Sequence, residues 1–231
     1  MDLALDGRVY VITGGFGALG SALAGVLNER GARVALLDRT EPRTAAQATE
    51  RTLHLGGVDL GAAGAAQGAV AQVVQRWQRI DGLVNVAGGF AWETLAEGTL
   101  ETWDRQYAMN LRSAVAASQA VLPHLGDGGR IVNIGAMAAV KAGAGTGAYA
   151  ASKAGVLRFT EALAAELKDR GVTVNAVLPS IIDTPANRRD MPDAEFGRWV
   201  TPQALSRVVA FLLSDDAAAI TGACVPVVGR V

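Results

Sequence analysis

The chain is short of the residues that mark disulfide scaffolds, metal centres and nucleic-acid surfaces. Cys224 is the only cysteine among 231 residues, so no intramolecular disulfide can form and a reducing, cytoplasmic setting is expected. His54 and His124 are the only histidines, and neither has acidic or cysteine partners at ligand spacing, so no metal is expected. Lys141, Lys153 and Lys168 are the only lysines among 21 basic residues; the arginines are scattered, and the net charge is -1. A nucleic-acid or acidic-membrane partner is therefore not expected. No apolar run approaches the roughly 18 residues of a membrane span. Met1-Asp-Leu-Ala-Leu-Asp-Gly7 lacks the basic stretch and apolar core of a signal peptide, so none is expected. What the chain has is apolar residues, half of the total, and 28 glycines. That is enough to bury one large core.

The apolar runs alternate in kind. Short continuous runs predict strands near 8–12, 33–37, 53–58, 82–86, 130–134, 172–178 and 223–228. Amphipathic stretches predict helices near 18–30, 61–78, 99–124 with a break, 148–169 and 202–214. The segment 39–52 is short for a crossover and carries Pro42, so one turn at Thr44–Thr49 is the most it is expected to hold. Fully apolar strands between amphipathic helices imply a single α/β domain over 1–231. The expected architecture is a doubly wound, mostly parallel seven-stranded Rossmann sheet with helices on both faces.

Two motifs place chemistry on that frame. The predicted first strand runs into Thr13-Gly-Gly-Phe-Gly-Ala-Leu-Gly20 and then into a helical pattern. Glycines at 14, 15, 17 and 20 permit a tight turn against a pyrophosphate, with free N–H groups at the helix start. The second strand ends at Asp38, 18 residues beyond Gly20, where an acid can bind a ribose diol or simply stand in an exposed turn. Further on, Tyr149 and Lys153 are four apart and share a helix face. An ammonium beside the phenol is expected to pull the tyrosine pKa toward neutrality and fit it for proton transfer. Plain helix packing also produces Tyr-x-x-x-Lys.

With these motifs in this order, the whole chain resembles the short-chain dehydrogenase/reductase family. Asn85-Val-Ala-Gly88 is similar to the family's Asn-Asn-Ala-Gly, Asn110 stands at its catalytic asparagine and Asp59 at its adenine-contacting aspartate. Pro179-Ser-Ile-Ile-Asp-Thr184 resembles its nicotinamide-side Pro-Gly-x-x-x-Thr. The resemblance implies catalysis by Tyr149, Lys153 and Asn110. It implies a dinucleotide held by Gly14, Phe16, Gly17, Leu19, Gly20, Asp38, Arg39, Asp59, Leu60, Asn85, Ala87, Gly88, Tyr149, Lys153, Pro179, Ile182 and Thr184. Asp38 would repel a 2′-phosphate and Arg39 would cover the adenine, so NADH is expected and NADP less so. A homodimer or homotetramer through the helices near 110–124 and 148–169 is implied as well, with Ala114, Val115, Ala116, Ala117, Leu157, Ala162 and Leu163 among their residues.

The departures matter as much. The family's catalytic serine lies 13 residues before the tyrosine, where this chain has Ala136. Position 18 is alanine, not glycine, and Ser180 replaces a glycine. The dihydropteridine reductase branch also has alanine at the serine position, and several runs here resemble it: Gly14–Gly20, Val86–Phe90, Val177–Arg188 and Met191–Trp199. The expected function is NADH-linked hydride transfer to a small organic substrate, with a dihydropterin-like heterocycle as the named candidate. Two rivals stand beside it: an alcohol or 3-oxoacyl dehydrogenase in which Thr146 replaces the serine, and a non-catalytic NAD-binding protein. Lys141 is a second candidate for the missing donor. Two segments after strand ends, Gly88–Gly98 with Phe90 and Trp92 and the lid-like Ser180–Val200, should border the substrate. Trp199 is expected to pack the lid onto the body.

Overall fold

The computed structural model describes residues 5–42 and 49–231. Apolar β-rich runs form seven strands: β1 Val9–Thr13, β2 Arg33–Leu37, β3 Thr52–Leu55, β4 Ile80–Asn85, β5 Leu125–Ile134, β6 Thr173–Pro179 and β7 Cys224–Val227. They lie in the order β3-β2-β1-β4-β5-β6-β7, and every pairing is parallel. The mostly parallel expectation thus resolves to a fully parallel sheet. The helices are α1 Ala18–Glu29, α2 Ala65–Trp77, α3 Leu100–Tyr107, α4 Ser113–Val121, α5 Gly147–Leu167, α6 Pro185–Asp190 and α7 Pro202–Leu212.

Parallel strands need helical covers on both faces, and alternation along each strand divides the side chains between two cores. Val9 and Val11 face the core shared with α2, α4 and α5. Tyr10 and Ile12 face the core shared with α1 and α7. All five residues of β1 are buried. Strand order reverses between β1 and β4, which opens a crevice at their carboxyl ends. Thr13 braces that crevice, because its hydroxyl accepts the N–H groups of Val86 and Ala87, both at 3.1 Å.

Two elements differ from expectation, and the expected break in a third takes a definite form. β5 begins at Leu125, well before the apolar run at 130, with a register shift against β4 between Ile80 and Gly82. The break in the 99–124 helix is a π-helical turn over Ala108–Arg112. Helix α6 lies inside the segment read as a connection. Its start is legible in retrospect: the Thr184 hydroxyl accepts Asn187 N–H and Pro185 follows at the first helical position. The single turn expected at Thr44–Thr49 falls, apart from Thr49, outside the described residues.

Candidate active site

The glycine turn is close-packed on its own strand ends. Gly14 has φ +63°, and a Cβ there would lie 2.9 Å from Ala87 N. A Cβ on Gly15 would lie 2.6 Å from Leu36 Cβ, and one on Gly20 would overlap the Gly14 carbonyl. Only hydrogen at these positions lets α1 start against the turn and leaves its first N–H groups open to a ligand.

A cleft of about 980 Å³ spreads from this turn. Its walls include Gly14, Gly17, Leu19, Gly20, Asp38, Arg39, Asp59, Leu60, Ala87, Gly88 and Thr184, all anticipated from the sequence. Asp38 is fixed in place: one carboxylate oxygen accepts Phe16 N–H at 3.0 Å, and the other accepts the N–H and hydroxyl of Thr40. Asp59 accepts Gly61 N–H at 2.9 Å.

Four anticipated residues are placed differently. The Asn85 side chain is buried and donates to Ser118 and Asn133, so only its backbone is left for the cleft. Phe16 contributes its N–H to Asp38, and its ring meets His54 edge-on at 5.8 Å. Pro179 ends β6, and Ile182 pairs with Val200 while its carbonyl accepts Asn187 Nδ2. Arg105, Met109, Ser113 and Arg189 also line the cleft. No motif marks them; α3 brings in Arg105, the π turn Met109, the start of α4 Ser113, and α6 Arg189.

Lys153 and Asn110 meet beside Gly88, and Tyr149 lies one turn before Lys153 on α5 with its ring against Phe90. A Cβ on Gly88 would lie 2.5 Å from Asn110 Oδ1 and 3.4 Å from Lys153 Nζ, so glycine is required for both to pack against this wall of the cleft. Lys153 is buried, and its ammonium donates to the Ile134 carbonyl at 2.7 Å. Burial pushes its pKa down to about 8. Tyr149 moves the other way: burial raises its phenol to about 12. The expectation that Lys153 would lower the phenol pKa is therefore overturned. The lysine charge is spent on the β5 carbonyl, and loss of hydration dominates at the phenol. At neutral pH Tyr149 is a protonated donor.

Asn110, in the π turn, is saturated by protein groups. Its Oδ1 accepts Gly89 N–H at 2.9 Å, and its Nδ2 is shared among Gly89 O, Gln106 Oε1 and Ser152 Oγ at 3.0–3.1 Å. It ties the 88–98 segment to α5. π turns of this kind commonly occur at functional sites.

Ala136 is buried in an extended conformation after β5. No substitute hydroxyl is offered by Thr146, which donates to Gly143 O at 2.8 Å and accepts Gly143 N–H at 3.0 Å. Lys141 is exposed. The mouth is aromatic. Phe90 meets the Tyr149 ring edge-on at 5.0 Å, and Trp92 donates to Ala144 O at 3.0 Å while lying against Gly145. Trp199 is buried against Phe196, as expected of a packing residue.

Comparison with known proteins gives consistent matches. A family model described as enoyl-(acyl carrier protein) reductase matches residues 16–229. D-threitol dehydrogenase of Mycolicibacterium smegmatis is 35% identical over 96% of this chain and 92% of its own. A 3-oxoacyl-acyl-carrier-protein reductase of Pseudomonas aeruginosa is 35% identical over 98% of each. Among solved structures, a metagenomic blue fluorescent protein in complex with NADPH is 32% identical, with TM-score 0.88 and 98% of each chain covered.

Proposed function

The chain belongs to the short-chain dehydrogenase/reductase family and is an oxidoreductase, and on that premise we propose that it uses NADH to reduce a flat, already electrophilic organic substrate, with a dihydropterin-like heterocycle as the leading candidate. The observation that carries this reading is the combination of an intact Tyr149-Lys153-Asn110 set with Ala136 and no replacement hydroxyl. The cleft and its glycine turn fit a nicotinamide dinucleotide, which supplies a hydride when bound.

The residues divide the remaining work. Tyr149, protonated to high pH, gives its proton to the substrate. Lys153 holds a positive charge under the reacting centre. Asn110 acts as a positioning residue by fixing Gly89 and Ser152. A serine at 136 would add a donor where carbonyl charge develops, and losing such a donor costs about 10²–10³ in rate. A quinonoid heterocycle needs less polarisation than a ketone. Phe90 and Trp92 supply faces for its ring. The alcohol and 3-oxoacyl reading loses support because the Thr146 hydroxyl is committed to Gly143.

NADH is preferred over NADPH in this reading because the Asp38 carboxylate is locked where a 2′-phosphate would sit. Calorimetric titration with both nucleotides tests it; equal or tighter binding of NADPH contradicts it. The assembly expected from the sequence runs through the helices near 110–124 and 148–169; we infer instead that α3, rather than α4, joins α5 in pairing with a second copy. Leu100, Trp103 and Tyr107 stand exposed at helical spacing on α3. Ala162 faces outward, whereas Ala114, Ala117, Leu157 and Leu163 belong to the body of the subunit. Light scattering at micromolar concentration tests this, and a monomeric mass contradicts it.

The substrate reading is tested by Ala136→Ser in steady-state kinetics on a quinonoid dihydropterin and a simple ketone. A gain on the ketone alone supports specialisation. Equal gains on both would remove it.

A further inference from the structure

The glycine turn is poorly provided with charge for a ligand carrying a diphosphate. Its N–H groups at Gly15, Phe16 and Gly17 already donate to Leu37 O, Asp38 Oδ2 and Gly14 O. Residues 13–21 contain no basic side chain. The start of α1 offers only the partial positive charge of its free N–H groups.

Cations enter the same cleft from elsewhere. Arg39 stands next to Asp38 and close in sequence to the second strand end. Arg105 comes from α3 and Arg189 from α6, and neither has a carboxylate partner among the described residues. Arg105 makes one long bond, 3.4 Å, to the Thr102 hydroxyl. The neighbour of Arg189 on α6 shows what a structural arginine looks like here. Arg188 binds Asp183 through two hydrogen bonds of 2.6 and 2.8 Å and lies 4.7 Å over the Phe196 ring. Adjacent arginines on one short helix are thus used differently: Arg188 anchors the helix, and Arg189 reaches the cleft with its donors unspent.

We propose that Arg105 and Arg189 are the two jaws of a clamp for the diphosphate of the dinucleotide, closing over it from α3 and α6 while the glycine turn supports it from below. The inference rests on the dinucleotide reading above. A guanidinium presents a planar fork of donors that matches phosphate oxygens, and a desolvated pair of this kind is stronger than a neutral hydrogen bond. Cofactor binding thereby draws α6, the first element of the 180–200 lid, toward α3.

The test is calorimetry on the full chain and on Arg105→Ala, Arg189→Ala and the double variant, titrated with NADH, ADP-ribose and adenosine. Both side chains are exposed, so the thermal midpoint should not move. Each single change is expected to weaken NADH and ADP-ribose alike by about tenfold or more, while adenosine is unaffected. The salt dependence of NADH binding should become shallower in the double variant. NADH affinity in the double variant within about twofold of wild type, measured against the tenfold scale of a charged contact, overturns the clamp and leaves the dinucleotide reading standing. Equal weakening of adenosine overturns it as well, since that marks a general distortion. A changed KM for the acceptor with unchanged NADH affinity would assign the arginines to the substrate instead. Wild-type protein that binds no nicotinamide dinucleotide removes both readings.

Discussion

The two ends of the sheet both carry arginines around a concavity, and they use them in opposite ways. At the amino ends, Arg8 pairs with Asp215 at 2.5 Å and Arg79 with Asp81 at 2.6 Å. Buried Arg130 donates to the carbonyls of Gly128, Gly129 and Ser214 and reaches Asp215 at 3.4 Å. Three aspartates, Asp81, Asp127 and Asp215, balance three arginines around a space of about 300 Å³. At the carboxyl ends the larger cleft, lined also by Asp38 and Asp59, holds Arg105 and Arg189 with no ion pair among the described residues, and nearby α5 carries a phenol pushed up and a lysine pushed down. Saturated polar groups hold a fold together. Unsaturated ones at a strand switch point are held ready for a ligand.

The largest expected effect lies at the carboxyl end. Tyr149→Phe is expected to lower turnover by about 10²–10⁴, the usual worth of a positioned proton donor, with NADH affinity nearly unchanged. Steady-state rates and calorimetry on the same preparation check both halves.

The opposite signature belongs to Arg130→Ala. Removing a buried guanidinium strands three carbonyls and is expected to cost roughly 3 kcal/mol. For a chain of this size that lowers the thermal midpoint by about 6–12 °C. Turnover per folded molecule should hold. A variant that keeps its midpoint but loses activity would erase the contrast between the two ends.

Lys153→Met sharpens the comparison because a change in the proposed catalytic set is expected to make the protein more stable. Burial lowers the lysine pKa from 10.5 to about 8, so at neutral pH Lys153 is still charged in the folded protein but carries a desolvation cost that the unfolded chain does not. The unfolded chain binds the extra proton between about pH 8 and 10.5, so wild-type stability rises with pH across that window. The variant lacks this term. It is expected to melt a few degrees above wild type at pH 7, with the gap closing toward pH 10, partly offset by the unpaired Ile134 carbonyl. A gap constant with pH contradicts the assignment.

The smallest effect is kinetic. The kcat/KM for NADH reports groups of the unliganded enzyme. In the reductive direction it should fall above about pH 8 as Lys153 loses its charge, while Tyr149 stays protonated. A profile that falls only near pH 10 would point to an ordinary lysine.

Much of this was legible in the sequence, for identifiable reasons. β1 and β2 are short, mostly apolar and bounded by glycine or charge, so their edges were found within a residue. The turn at 14–20 was readable because steric limits at Gly14 and Gly20 admit almost nothing else. The start of β5 was not, because Gly126, Asp127 and Gly128 read as a turn, and strand pairing overrode that local preference. The Lys153 effect on Tyr149 was misjudged because spacing along α5 says nothing of the Ile134 carbonyl, which comes from the end of β5. Arg105 and Arg189 were invisible as a pair, since 84 residues separate them (189 − 105) and only the fold brings α3 and α6 to one cleft.

The central claim is that the carboxyl-end site works as an oxidoreductase without the serine. Deuterium transfer from NADH labelled at nicotinamide C4 to a quinonoid dihydropterin, followed by mass spectrometry in wild type and Ala136→Ser, tests it most directly. The account predicts labelled product from the wild-type protein at a rate the serine does not improve. Label that enters product only after Ala136→Ser, or from neither protein with any acceptor, would contradict it.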